Sequence, residues 1–572
     1  MEKVCPRCGV TFDCKHDSIM SCHCVDICLD SNMLAYLSEH YSSCLCHDCL
    51  ETIRSSFYAC DVNPCYKKRK IRKILVANRG EIAVRIMRSC REMGIRTIAV
   101  FSEADRTSRH VMYADEAYLI GPAVSKESYL NIDKIIDVAK RCKADAIHPG
   151  YGFLSENAEF VRRCKNAGII FIGPSAKTID AMGDKIQARQ CMIKAGVPVV
   201  PGTCQALSSV DEALRICDEI GYPLMLKASM GGGGKGMRLI HNREEVVEAY
   251  NSARSESLSS FGDDTVYIEK YIERPHHIEF QILGDNYGNI IHLFDRECSI
   301  QRRNQKIVEE SPSPFLTPSL RRIMGEKAVT AARAVGYSGA GTIEFLIDEQ
   351  HHFYFLEMNT RLQVEHPVTE EVVGVDLVKE QILIAQGEQL HLKQTDLIQR
   401  GHAIECRICA EDSSNGFMPS PGIIRQITRP NGIGVRVDSY VYEGYEIPIY
   451  YDPMIAKLIV WATTREYAVE RMRRVLYEYK ITGIKTNLNY LRRIMYAPDF
   501  VRGTYDTSFI TKNANKLIRQ NSKNEEIENM VLIATYIDYL MNLEENASSN
   551  RVDNRPISRW REFGLQKGVL RI

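Results

Sequence analysis

The sequence predicts an α/β chain whose large body opens with a parallel sheet and is preceded by a small Cys-rich module. Three observations carry that prediction. Length is the first: 572 residues, 45% hydrophobic and 26% charged, suffice for about three to four domains. A strand–helix–strand pattern from residue 74 onward is the second. The third is cysteine placement, since eleven of the twenty cysteines precede residue 66.

Charge narrows the function classes. With 73 Lys+Arg against 73 Asp+Glu and a pI near 7.2, there is no basic excess to attract nucleic acid or a membrane surface. No apolar run approaches the roughly 18 residues of a membrane span, and Met1-Glu2-Lys3-Val4-Cys5-Pro6 lacks the apolar core of a secretory signal. The reading is a cytoplasmic protein that does small-molecule chemistry, with neither nucleic-acid nor membrane partners.

In the head, residues 1–66, Cys5-Pro-Arg-Cys8 and Cys46-His-Asp-Cys49 are two C-x-x-C pairs. Each pair puts two thiolates on one tight turn, and four such sulfurs close a tetrahedral Zn²⁺ site. Cys14, Cys22, Cys24, Cys44, His16, His23 and His47 exceed one site's needs, and a second metal or free reduced thiols remain open. Disulfides need an oxidising compartment, and a redox C-x-x-C needs a thioredoxin-like context absent here. Residues 67–73, Lys-Lys-Arg-Lys-Ile-Arg-Lys, read as a solvated linker.

The body starts with Ile74-Leu-Val-Ala-Asn-Arg-Gly-Glu, a buried-type strand entering a polar turn; a helix follows over 82–93, and a strand over 97–101. This is a βαβ unit. A further strand at 146–148 ends in Pro149-Gly-Tyr-Gly152, a loop at the carboxyl end where open α/β sheets bind ligands.

Residues 222–240 place Gly231, Gly232, Gly233, Gly234, Lys235 and Gly236 between two apolar strands, with Lys227 on the first. A dinucleotide fingerprint needs a helix next, and a Walker A loop needs Lys-Ser/Thr after its last glycine; neither follows. What remains is a glycine hairpin able to fold over a nucleotide, its N–H groups meeting phosphate oxygens. Residues 342–361 then read as a second hairpin. Glu357, Asn359 and Arg361 are two apart and share a face that Glu344 on the partner strand joins. Two carboxylates and an amide make a hard Mg²⁺ or Mn²⁺ site, the alternative being Arg361 neutralising Glu357 on an ion-paired face. Glu365 is a candidate base. The dense charge run 295–310 alone reads as a solvated face.

Taken together these segments resemble biotin carboxylases, ATP-grasp enzymes that carboxylate biotin within acyl-CoA and pyruvate carboxylases. The resemblance rests on residues 74–82, 148–156, 231–238, 301–310, 357–369 and Glu405-Cys406-Arg407, in order over about residues 72–510. It implies the ATP-grasp biotin carboxylase fold: an N-terminal domain over 74–184, an ATP-grasp domain over 185–400 with its lid near 200–272, a C-terminal domain over 401–512 and a helical tail over 513–572. The head resembles the Cys-rich CWC family through Cys5 to Gly9, Cys22-His-Cys24 and Cys44 to Leu50, with His23 where the family name has Trp.

The biotin carboxylase resemblance implies that Lys185, Lys227 and the glycine lid hold ATP phosphates, that Glu269, Lys270 and Ile272 line the adenine pocket, and that His277 and Gln301 lie along ribose and phosphates. Glu344 and Glu357, with Asn359 nearby, would hold two divalent ions. Lys306, Arg361 and the Gln363–Val364 backbone would bind bicarbonate, Glu365 would deprotonate it, and Arg407 would stabilise the biotin enolate. Asn304 stands where the family usually has His and predicts weaker phosphate binding there. No Ala-Met-Lys-Met occurs, so biotin is expected on a separate carrier protein working with carboxyltransferase subunits of an acetyl-CoA, propionyl-CoA or pyruvate carboxylase. A homodimer is implied. The apolar stripe over 530–541 reads either as a helix packed on the body or as a docking segment. Another ATP-grasp ligase, or a non-catalytic scaffold with a zinc head, are the competing readings.

Overall fold

A computed structural model describes residues 2–14, 27, 31–59, 68–229, 236–518 and 530–541. Expectations placed on Cys22, Cys24, Gly231, Gly232, Gly233 and Gly234, and on the tail past residue 541, lie outside the described residues. Met1–Leu517 form one compact unit and Ile518–Ile572 another.

The head opens with two short strands, β1 (Glu2–Val4) and β2 (Thr11–Asp13), paired antiparallel across the Cys5-Pro-Arg-Cys8 turn. Two helices follow, α1 (Ser31–His40) and α2 (His47–Ala59), so Cys49 lies in the first turn of α2.

The predicted βαβ unit is present as β3 (Lys73–Val76), α3 (Gly80–Glu92) and β4 (Arg96–Ser102). Ile74, Leu75 and Val76 are all buried, as a strand covered on both faces requires. With β5 (Glu116–Gly121), β6 (Ala146–His148) and β7 (Ile170–Phe171) they form a parallel sheet in the order β5-β4-β3-β6-β7. Its central strands end beside each other. Asn78, after β3, donates from Nδ2 to the carbonyls of Pro149 and Tyr151, each at 2.7 Å, and so pins the loop after β6. Gly150 has φ +65°, and a Cβ there would stand 2.9 Å from that amide nitrogen, so only glycine fits.

The lid is a three-stranded sheet, β10-β8-β9, built from β8 (Leu224–Ala228), β9 (Arg238–Ile240) and β10 (Val266–Lys270). Leu224, Leu226, Ile240 and Ile268 pack under two helices through Ala213, Cys217, Val246 and Tyr250.

The largest element is an eight-stranded antiparallel sheet. In space it runs β15 (Phe353–Asn359), β14 (Gly339–Ile347), β11 (His276–Gly284), β12 (Ile290–Arg302), β13 (Gln305–Ser311), β16 (His402–Cys409), then Met454–Ala462 and Val435–Ser439. It crosses residue 400 without a break, because β13 pairs with β16 from Val308↔Cys406 to Ser311↔Ala403. The compact unit also extends beyond residue 512: Leu517 is buried, and Arg493 donates to its carbonyl at 2.7 Å. Residues 530–541 form a helix whose Met530, Leu532, Ile533, Tyr536 and Tyr539 are exposed. No helix among the described residues is long and apolar enough to cross a membrane.

Candidate active site

Between the parallel sheet, the lid and the large sheet lies a cleft of about 1290 Å³, lined from all three by residues including Tyr151, Lys227, Lys306, Glu357 and Arg407. Such a volume exceeds the 300–1,000 Å³ typical of one small ligand and suits more than one.

Its floor is a row of charges dictated by strand register. Arg296 on β12 faces Glu279 on β11, Glu279 faces Glu344 on β14, and Glu344 faces Glu357 on β15. Like charges directly opposite one another destabilise a sheet, so three adjacent carboxylates need cations. Arg296, fully buried, binds Glu279 and also donates to Gln281 at 2.8 Å and Thr342 at 3.0 Å. Lys306, at the start of β13, reaches across with its Nζ to Glu279 at 2.6 Å, Glu344 at 2.9 Å and Glu365 at 2.6 Å. Burial would discharge this lysine, but the three carboxylates outweigh burial and hold it well above the usual lysine range.

Glu344 is the most heavily bonded of the row. His277 Nε2 pairs with it at 2.7 Å, while Asn359 and Gln363 donate amides at 2.9 and 2.8 Å. Burial would raise its carboxyl, yet Lys306 and His277 hold it well below the normal range. Glu357 is different. It has no hydrogen bond among the described residues, and burial beside Glu344 pushes its carboxyl up. A half-buried carboxylate facing another and short of donors among the described residues fits a divalent cation, so the sequence-predicted Glu344, Glu357 and Asn359 are candidates for a Mg²⁺ or Mn²⁺ site. Arg361 does not neutralise Glu357: it donates to Glu156 at 2.7 Å and to Asn359 Oδ1 at 2.9 Å.

Glu365 is fully buried between two cations, taking Lys306 on one oxygen and Arg407 on the other at 2.9 Å. Against burial, Lys306, Arg407 and Arg296 keep it ionised. Arg407 also donates to Glu309 at 2.6 Å, and burial pushes the Glu309 carboxyl up to about 7 despite that arginine. Behind Glu365, Lys457 donates to the Val364 carbonyl at 2.9 Å, fixing the 363–365 segment.

On the nucleotide side, Lys227 and Glu269 pair at 2.6 Å, with Arg189 on the other oxygen of Glu269 at 3.0 Å. Lys270 donates to the Gly221 and Tyr222 carbonyls at 2.8 and 3.0 Å, and Ile272 lines the same cleft. Lys185 stands at the first turn of the helix Lys185–Lys194; burial and the nearby Lys227 lower its pKa against the pull of Glu357. Gln301 meets His277 Nδ1 at 2.8 Å, completing a relay from hairpin to Glu344. Gly236 has φ +70°, and a Cβ there would stand 2.8 Å from the Ala228 side chain, so this position takes only glycine without strain.

Asn304 has a local cause. Arg303 and Asn304 form a two-residue hairpin turn between Arg302 and Gln305, both with positive φ (51° and 62°), the region asparagine tolerates best. Sequence reading missed Glu279, Glu309, Arg296 and Lys457. Glu279 is two residues from His277 on one strand and thus on its face, a usable signal; Arg296 pairs with it from the next strand, whereas the partners of Glu309 and Lys457 lie 98 and 93 residues away.

A three-stranded lid sheet over a carboxylate-floored antiparallel sheet makes a cleft suited to a nucleotide and its cations, the arrangement expected of an ATP-dependent ligase of the ATP-grasp type. The comparisons with known proteins place it more closely. Residues 70–179 match the biotin carboxylase N-terminal domain, 184–393 the ATP-binding domain of the carbamoyl-phosphate synthase L chain, 405–512 the biotin carboxylase C-terminal domain, and 5–51 the Cys-rich CWC family. The chain is 57% identical to a pyruvate carboxylase subunit of Methanothermobacter thermautotrophicus, over 77% of this chain and 89% of that one. Identity to the biotin carboxylase of Nostoc sp. is also 57%, over 77% and 99%. The biotin carboxylase domain dimer of Hydrogenobacter thermophilus 2-oxoglutarate carboxylase, solved with MgADP, ADP and bicarbonate, superposes with a TM-score of 0.77 at 52% identity, over 79% of this chain and all of that one. The chain belongs to the biotin carboxylase family.

Proposed function

We propose that this chain carboxylates biotin borne on a separate carrier protein, consuming ATP and bicarbonate, and passes the carboxyl group on through carboxyltransferase subunits of a multisubunit carboxylase. In this reading it acts as a homodimer in the cytoplasm. One observation carries the reading: Glu365, buried and ionised, sits between Lys306 and Arg407 at the end of the carboxylate row.

Lys185, Lys227 and the lid would take the ATP phosphates, with adenine against Lys270 and Ile272. Glu344 and Glu357, assisted by Asn359, would hold two divalent ions, which neutralise triphosphate charge and align it for in-line transfer. Bicarbonate, a planar anion, would take Lys306 and Arg361 as its cations and the Gln363–Val364 backbone as its orienting edge. As its contact with Lys306 weakens, Glu365 becomes more basic and accepts the bicarbonate proton. The deprotonated oxygen then attacks the γ-phosphorus, the bond to ADP breaks, and carboxyphosphate forms. It splits to CO₂ and phosphate inside the closed lid; phosphate takes the biotin N1 proton, and N1 attacks CO₂ while Arg407 offsets the charge on the ureido oxygen. The head, where Cys5, Cys8, Cys46 and Cys49 gather, would serve as a structural-metal module.

The test is bicarbonate-dependent ADP release with Mg²⁺, with and without free biotin. Stimulation by biotin, lost in Lys306→Ala, is the expected result. ATP turnover indifferent to biotin would replace this reading with another ATP-grasp ligase.

A further inference from the structure

We infer that Cys5, Cys8, Cys46 and Cys49 bind one Zn²⁺ as a tetrahedral tetrathiolate, and that this ion closes the fold of the head. The inference rests on the reading of the head as a metal module and adds the ion, its geometry and its consequence for folding. The four ligand sulfurs lie within 4.8 Å of one another, and those of Cys8 and Cys46 are 3.6 Å apart. With Zn–S bonds of about 2.3 Å, a tetrahedron has edges of about 3.8 Å, so this pair already stands at ligand spacing.

The two C-x-x-C segments reach the cluster from unlike elements. Cys5 and Cys8 flank the β1–β2 turn, which is held by Cys5 N–H on the Val10 carbonyl and Gly9 N–H on the Cys5 carbonyl, both at 2.9 Å. Gly9, at φ +77°, returns the chain beneath the thiols. Cys46 precedes α2, and Cys49 lies in its first turn, where the helix end favours negative charge.

A disulfide framework would divide four sulfurs into two separated pairs, whereas here all four are mutual neighbours. The interior of the head makes the same point. Its core cluster among the described residues is Ile27, Met33, Leu45, Leu50 and Ile53, plus Cys5 and Cys46 themselves. So small an apolar core ordinarily needs a covalent or metal crosslink. Binding replaces up to four thiol protons by one Zn²⁺ and leaves two net negative charges, beside which Arg7 reaches the Cys49 carbonyl at 3.1 Å.

Full-length protein purified without chelator is expected to carry about one zinc per chain by elemental analysis. Cys8→Ser and Cys49→Ser should lose it, Cys204→Ser in the body should keep it, and Co²⁺ exchange should give the intense absorption of tetrahedral cobalt thiolate. Amide exchange across residues 5–13 and 44–50 of the wild type should speed up at least tenfold on zinc removal, recover on zinc return, and stay unchanged in β3 and β11. Zinc below a tenth per chain after reconstitution under reducing conditions, zinc retained in both serine variants, or iron in its place would overturn the site. Unchanged exchange would overturn its role in closing the head. Because these readouts ignore turnover, they stand or fall separately from the carboxylase assay.

Discussion

The body and the head both gather anionic ligand atoms, but they balance them differently. In the body the carboxylate row is met by the chain's own cations: Arg296 on Glu279, Lys306 on Glu279, Glu344 and Glu365, and Arg407 on Glu309 and Glu365. In the head, Arg7 bonds a carbonyl and Lys3 bonds the neighbouring Cys44, so neither is hydrogen-bonded to a cluster sulfur. A protein cation is exchangeable, since a substrate anion can draw it away, and that suits a reaction centre. A metal held by four thiolates is not, and that suits a staple. Glu357 is the one member of the row that behaves like the head, with no hydrogen-bond donor among the described residues.

Removing the hub should have the largest effect. Lys306→Ala leaves Glu279, Glu344 and Glu365 facing one another, and loss of one such charge-stabilising group is worth about 10²–10³-fold in rate. Bicarbonate-dependent ADP release should fall at least that far, with a lower Tm from the uncompensated buried carboxylates. A variant near wild-type rate would break the contrast at its strongest point.

Next comes the exception. Glu357→Gln removes a proposed cation ligand without disturbing a protein ion pair among the described residues, so the Mg²⁺ concentration for half-maximal rate should rise by about tenfold or more while Tm holds or increases. Unchanged Mg²⁺ dependence would make Glu357 a spectator.

A pH effect sharpens the comparison. Burial raises Glu309 to about 7 in the folded chain, against an ordinary glutamate in the unfolded one. The native state therefore holds the extra proton between about 4.5 and 7, and this group's contribution to stability falls as pH rises through that window. In activity the sign reverses, because ionised Glu309 orients Arg407. At fixed bicarbonate concentration the biotin-stimulated rate should drop below about pH 7, and Glu309→Gln should flatten that limb. An inflection that persists in the variant would assign it elsewhere.

The smallest effect belongs to the lid. Gly236→Ala places a side chain at φ +70° against Ala228, a strain of about 1–2 kcal/mol. The KM for ATP should increase several-fold with bicarbonate affinity unchanged; equal changes in both would show that the lid and the row are not separable.

Much of this was legible in the sequence wherever a local period reports a face. The two-residue spacing of Glu357, Asn359 and Arg361 placed these side chains on one face of a hairpin, and the register Glu344↔Glu357 bears out that pairing. The glycine run flanked by apolar strands placed the lid, and paired C-x-x-C segments brought together the four sulfurs. What was hidden depended on pairing between distant strands. Glu279 joins the row only because β11 lies between β12 and β14, and the charge run 295–310, which taken alone reads as solvated, is buried in the large sheet on both sides of its exposed 303–305 turn. The division at residue 400 does not appear as a break for the same reason. Asn304, read for its chemistry, is also explained by its turn.

The most direct measurement is fixation of radiolabelled bicarbonate onto free biotin by the full-length chain with ATP and Mg²⁺. The expected result is acid-labile label on biotin, ATP-dependent and absent in Lys306→Ala. Steady ATP hydrolysis with no label on biotin would contradict it.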